Sequence, residues 1–142
     1  MPKLSTRALF AVRLIQAREM RGLSQRALGD RMGLGKEKGS SRINRYEHQV
    51  TAIGFDNLEK LAEVLNVPAA YLLAESASMA DAILALASAK PQQQADLAVL
   101  LQALGEDPAL AKALLQFLKR PKQERDRIKK LLQSSADGAA AR

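Results

Sequence analysis

A chain of 142 residues is long enough for one ordinary domain, or a small domain with an appendage, and can bury a real core. With 47% hydrophobic but only 4% aromatic residues that core is aliphatic; the absence of Cys excludes disulfide and thiolate chemistry, and the single His48 cannot assemble a zinc site. The net charge of +7 is unevenly placed, with eleven Lys/Arg against four Asp/Glu over 1–50, two against six over 51–100 and nine against five over 101–142. Basic charge gathered in the N-terminal third is the footprint of a polyanion-binding face. Leu, Ala and Lys/Arg dominate without β-branched runs, which favours an all-α protein. No apolar run approaches the roughly 18 residues of a membrane span, and Arg13 interrupts the stretch where a signal-peptide core would lie. A soluble, cytoplasmic, unexported protein with no membrane partner is expected.

Ser5 and Thr6 are cap candidates for a first helix to about Arg21, with Leu9, Val12, Leu14 and Ile15 inward. Gly22 stops it. Ser24 caps a second helix from Gln25 to Met32, with Ala27, Leu28 and Met32 inward, and Gly33 ends it. The turn 33–39, GLGKEKG, lacks the spacing of a dinucleotide fingerprint, since Lys38 stands three after Gly35, and no GK[ST] follows as in a P-loop. Its glycines read as a tight corner between helices.

The next stretch, GSSRINRYEH over 39–48, organises the rest. At about 100° per residue, Ile43, Tyr46 and Glu47 share one face of a helix, Lys38, Ser41, Arg45 and His48 the opposite one, and Arg42 and Asn44 flank it. One face can anchor while the other reads the major groove of DNA. A fourth helix over 56–65 carries Leu58, Leu61, Ala62 and Leu65 on one stripe. Asn66 and Val67 break it, and Pro68 opens a short fifth helix ending near Glu75.

The segment 74–78, AESAS, reads as a hinge. Beyond it, Ser78 with Asp81 forms a capping box for a helix to about Ala89. Pro91 starts a helix to Leu104, Asp107 and Pro108 cap and start another to Leu118, and Pro121 opens the last, to about Gln133. Short joints suggest antiparallel hairpins, and the tail 134–142 is expected to be disordered.

The stretch 13–74 resembles the helix-turn-helix domain of the phage-repressor and Cro family, often called the Xre family. The motifs that carry the resemblance are RxxQARExRGLSQRALGDRMGL, RINRYE and FDNLEKLAEVLNVPAAYLL, a little under half of the chain. The resemblance implies a repressor-like domain, which with the five helices read above spans 1–75; the caps and prolines beyond it give a four-helix C-terminal region over 78–133. It implies an ion pair between Arg18 and Glu47 that pins the third helix to the first. It places Ser24 and Gln25 against a DNA phosphate, where free backbone N–H groups and the helix dipole favour an anion. Base-reading positions carry over to Ser40, Ser41 and Arg45; the helical wheel ranks Ser41 and Arg45 as most outward and leaves Ser40 nearer a capping and phosphate role. With the flanking Arg42 and Asn44, the expected readers are Ser41, Arg42, Asn44 and Arg45, the guanidinium of Arg45 suiting guanine and Asn44 suiting adenine.

The chain departs from the family pattern twice. Twelve residues separate Leu34 from Glu47, several more than in most members, and Lys36 and Lys38 in this longer turn are expected on phosphates. After the third helix, members often read RGK-x-x-P, whereas His48, Gln49, Val50 and Ile53 take those places here, so a usual glycine cap and a usual basic contact are missing.

His48 has no nucleophile or paired carboxylates beside it in the sequence and is expected on a phosphate, so no enzyme, metal or cofactor is expected. Helices as short and apolar as those after residue 78 need a partner surface for their stripes. Self-association is the favoured use, through Ile83, Leu86, Leu97, Leu100, Leu101, Leu104 and Leu114. A two-fold dimer would set two reading helices at half-sites roughly 34 Å apart. The basic run 119–130 is interleaved with Glu124 and Asp126 and reads as a solvated face. The function expected is a homodimeric, sequence-specific DNA-binding transcriptional regulator, a repressor on a palindromic operator. The alternative is an antitoxin-like or protein-interaction regulator whose C-terminal helices bind a partner protein; a small effector is left open.

Overall fold

Every regular element that the computed structural model describes, over residues 4–140, is helical. Helix α1 (Thr6–Met20) starts at Ser5, whose hydroxyl oxygen accepts from the Ala8 amide at 3.2 Å. It ends at Gly22 with φ +63°, where the Gly22 and Leu23 amides donate to the Glu19 and Arg18 carbonyls. Its buried residues are Leu9, Phe10, Ala11, Arg13, Leu14 and Ala17, whereas Val12 is exposed and Ile15 only half-buried. The buried stripe is thus rotated from the expected one. Neighbours on two sides cause this: Phe10 meets Tyr46 edge to face, with ring centroids 6.3 Å apart, and Arg13 donates through Nε to the Ala74 carbonyl at 3.1 Å.

Ser24 caps α2 (Gln25–Arg31), its hydroxyl oxygen accepting from the Ala27 amide at 3.0 Å. The corner to α3 (Gly39–Glu47) uses left-handed backbone at Gly33 and Gly35, φ +72° and +79°, and lays Leu34 on the core. Gly39 has another task. A Cβ built on Gly29 would stand 2.5 Å from the Gly39 carbonyl carbon, so α2 and α3 meet backbone against backbone. The expected capping role of Ser40 is not realised, because α3 already begins at Gly39 and Lys38 precedes it without a side-chain cap.

Helix α4 (Phe55–Leu65) buries Leu58, Leu61, Ala62 and Leu65 and ends at Asn66 in a left-handed conformation, φ 49°. Arg21 closes this end, donating to the Leu65 and Asn66 carbonyls at 2.6 and 2.7 Å and satisfying acceptors that a helix C-terminus leaves free. The fifth helical element is a 3-10 helix, Ala69–Leu73, preceded by an extended Pro68; it buries Tyr71 and Leu72.

No hinge follows. Ala74 is 1% exposed and held by Arg13, and Ser76 rather than Ser78 caps the next helix, α5 (Ala77–Ser88), accepting from the Met79 amide at 3.1 Å. Ala80 is buried, and Ile83 and Leu84 pack against the same core as the preceding helices. A first compact unit therefore reaches Pro91, and α5 belongs to it rather than to a C-terminal region starting at 78.

The second unit begins at Gln92. It comprises most of α6 (Pro91–Glu106), then α7 (Pro108–Leu118), capped by an Asp107 carboxylate oxygen accepting from the Ala109 and Leu110 amides, then α8 (Lys122–Ala140). Phe117 and Ile128 are half-buried between α7 and α8, but no residue described in α6, α7 or α8 is buried, so the expected hairpins have no closed seam. Helix α8 runs to Ala140, past residue 134, where the tail is expected to become disordered. The last two residues of the expected tail, 141–142, lie outside the described residues.

Candidate nucleic-acid interface

Helix α3 is divided by its sequence into an anchored and a free face. Ile43, Tyr46 and Glu47 are buried at 0%, 4% and 7% exposure, while Ser41, Arg42, Asn44, Arg45 and His48 are exposed. Apolar contact fixes the helix, and the side chains left over include two guanidinium groups, an amide and a hydroxyl, all competent to meet base edges or phosphates.

A carboxylate on the buried face needs a partner, and Glu47 has two. Arg18 donates from Nε to Oε1 at 2.6 Å and from Nη2 to Oε2 at 3.2 Å, and its Nη1 donates to the Leu23 carbonyl at 2.9 Å. The two side chains are 14% and 3% exposed. The hydrogen bond to Glu47, reinforced by the charges of Glu47 and Glu19 and opposed by burial, raises the Arg18 pKa above the usual arginine value. Gln25 supplies the second partner, donating from Nε2 to Glu47 Oε2 at 2.6 Å. Its other amide atom, Oε1, accepts from Asn44 Nδ2 at 3.3 Å. Two residues expected to touch DNA, Gln25 and Asn44, are thus tied to the ion pair that holds the helix.

The family model described as Helix-turn-helix matches residues 14–72, which run from the middle of α1 through α2, α3, α4 and most of the 3-10 helix. The crystal structure of the transcriptional regulator BswR superposes with a TM-score of 0.61 at 33% identity, covering 68% of this chain and 96% of that one. The chain belongs to the Xre/Cro-C1 type helix-turn-helix family. Members of this family are DNA-binding transcription regulators. A comparison with curated proteins found no match.

In this Xre-type domain the remaining candidate residues lie at the cap of α2, on the turn into α3 and at the C-terminal end of α3. Ser24 spends its hydroxyl oxygen as an acceptor on the α2 cap, and its O–H is still a donor. Lys36 and Lys38 are exposed on the long turn, and Ser40 is half-buried in the first turn of α3. His48 is more constrained. Its Nδ1 lies 2.9 Å from the Asn44 carbonyl oxygen, which only accepts, so Nδ1 carries the proton and a neutral ring turns an acceptor, Nε2, to solvent. Only the imidazolium can donate there to a phosphate.

The sequence reading missed two residues beside the free face. A groove of about 550 Å³ is lined by Ser41, Arg42 and Arg45 together with Thr51 and Asn57, and Asn57 donates to the Tyr46 hydroxyl at 3.4 Å. Asn57 lies in the first turn of α4, a position that its helical stripe marks as off the core, which is the signal that could have found it. A larger groove of about 930 Å³, between α4 and α5, holds none of the expected DNA residues; Asp56, Glu59 and Glu63 around it repel phosphate. Among the described residues no group of three or more acidic or histidine side chains is placed to hold a metal ion, and no helix is long and apolar enough to cross a membrane.

Proposed function

We propose that the chain is a homodimeric, sequence-specific repressor that acts on DNA in the cytoplasm by occupying a palindromic operator. The observation that carries this is the division of α3: Gly39, Ile43, Tyr46 and Glu47 are buried and hold it, while Ser41, Arg42, Asn44 and Arg45 are exposed, Asn44 through the edge that its bond to Gln25 leaves over. Ser24, Ser40, Lys36 and Lys38, with His48 when protonated, fix the domain on the phosphates, and the four free residues read bases. One N–H of Gln25 remains for a phosphate after its bond to Glu47.

Dimerisation through α6 and α7 is supported by their uncovered leucines. Leu97, Leu100 and Leu101 are 37%, 51% and 55% exposed and Leu104 and Leu114 half-buried; Leu86, half-buried on α5, is the expected contributor from the first unit. Ile83 leaves this set, because it packs against the core of the first unit. The same leucines suit a partner protein in an antitoxin-like regulator, and copurification of a stoichiometric second protein would favour that reading.

Fluorescence anisotropy on operator and random duplexes tests the DNA assignment. Arg45→Ala is expected to lose discrimination worth about 1–3 kcal/mol, and Lys38→Ala to weaken both duplexes alike and flatten the salt dependence. Equal losses on both duplexes for Arg45→Ala would sink its role as a reader.

A further inference from the structure

The ion pair that anchors α3 also decides which edge of Asn44 is free, and we infer that it thereby sets the base Asn44 reads to one bearing an exocyclic amino group, adenine or cytosine. The inference rests on the DNA-binding reading above and adds a mechanism to it. Hydrogen-bond polarity propagates from the buried side outward. An ionised carboxylate only accepts. Glu47 Oε2 therefore obliges the Gln25 atom 2.6 Å away to be the amide nitrogen, which turns the Gln25 oxygen toward α3. That oxygen also only accepts, so the Asn44 atom 3.3 Å from it must be Nδ2. Inverting either amide would set two lone-pair atoms, or two N–H groups, against each other.

Asn44 is left with Oδ1 and a single N–H to offer. In the major groove adenine presents an N6 amino donor beside the N7 acceptor, and cytosine an N4 amino donor. Guanine presents two acceptors, and thymine an acceptor and a methyl group. Oδ1 accepts from either amino group and the spare N–H suits N7 of adenine, whereas guanine can take only that one N–H and then sets its second acceptor against Oδ1. Gln25 is accordingly a positioning residue for readout, and Arg18 and Glu47 act on specificity through it without reaching the DNA.

The test is selection of bound duplexes from a random-sequence DNA pool by the wild-type chain, Asn44→Ala and Gln25→Met, with Gln25→Leu as a second variant should Gln25→Met fold poorly. Wild-type sites are expected to carry adenine or cytosine at one position at which Asn44→Ala becomes indifferent. Gln25→Met removes both polar atoms at similar length and frees the Asn44 amide to invert. At that same position its preference for amino-bearing bases should fall from roughly tenfold to about twofold, with neighbouring positions unchanged. A loosened fold lowers affinity at all positions and cannot reproduce that pattern. The inference is overturned if Asn44→Ala changes no position, if the Asn44 position selects guanine or thymine, or if Gln25→Met keeps the wild-type preference. Failure of the wild-type chain to enrich any common sequence would instead overturn the DNA reading beneath it.

Discussion

Gln49 has a left-handed backbone, φ +61°, immediately after α3, in the place where family members often carry glycine. Its amide donates to the Tyr46 carbonyl and the Val50 amide to that of Arg45, at 3.1 and 2.8 Å, closing the helix as glycine closes α1. A side chain in this conformation costs about 1–2 kcal/mol, part of which glycine gives back as unfolded-state entropy. Gln49→Gly is therefore expected to stabilise the chain by about 0.5–1 kcal/mol in urea unfolding. Glu47 works in the other direction. Removing it in Glu47→Ala strands the largely buried Arg18 guanidinium and the Gln25 amide, and a loss of about 2–4 kcal/mol is expected by the same measurement, somewhat below that for a fully buried pair. Because the Arg18 pKa is raised, its share of the pair's stability is fully present below the ordinary arginine pKa and is lost only as pH rises through the folded value. Arg18 therefore gives the stability no slope near neutral pH.

The helices are ended by one repeated device. After α1, α2, α3 and α4, two successive amides turn back to carbonyls of the last turn, with Gly22, Gly33, Gln49 and Asn66 supplying the left-handed residue. Between elements, contact of α2 with α3 depends on having no side chain at Gly29 and Gly39, and that contact sets how α3 lies on the scaffold with its free face outward. A Cβ at Gly29 would meet Gly39 backbone atoms at 2.5–2.8 Å, whereas one at Gly39 would meet Gly29 at 3.0 Å or more. Backbone cannot yield as a flexible side chain does, so Gly29→Ala is expected to cost about 1–3 kcal/mol in thermal or urea unfolding despite the better helix propensity of alanine. Gly39→Ala should cost less.

Across the molecule, every buried residue described lies before residue 81, on the first unit. A fragment of residues 1–91 is accordingly expected to unfold cooperatively with a midpoint close to that of the whole chain, as read by circular dichroism. Among its described residues the second unit has helices but no buried core, and its uncovered leucines are what the proposed dimer would bury. Sedimentation should show the full chain as a dimer and a Leu100→Glu, Leu101→Glu variant as a monomer with the unfolding midpoint of the first unit unchanged. A variant that remained dimeric would move the interface elsewhere.

Much of this was legible in the sequence because it is local. Ser5, Ser24 and Asp107 cap helices with their own following amides, Gly22 and Gly33 stop them within one turn, and the stripes of α3 and α4 repeat at the helical period. Those signals span a few residues, and they led to an all-α chain with one buried and one exposed face on α3. Tertiary structure decided what depends on distant partners. The buried stripe of α1 was turned by Tyr46 and Ala74, and the supposed hinge was pinned by Arg13, 61 residues away from Ala74. Gln25 was drawn to Glu47 across 22 residues, so the orientation of the Gln25 and Asn44 amides follows from a buried charge rather than from any local spacing. A chain specifies its caps and periods through neighbours, but the polarity of a buried network is fixed only when the fold brings its acceptor-only member into place.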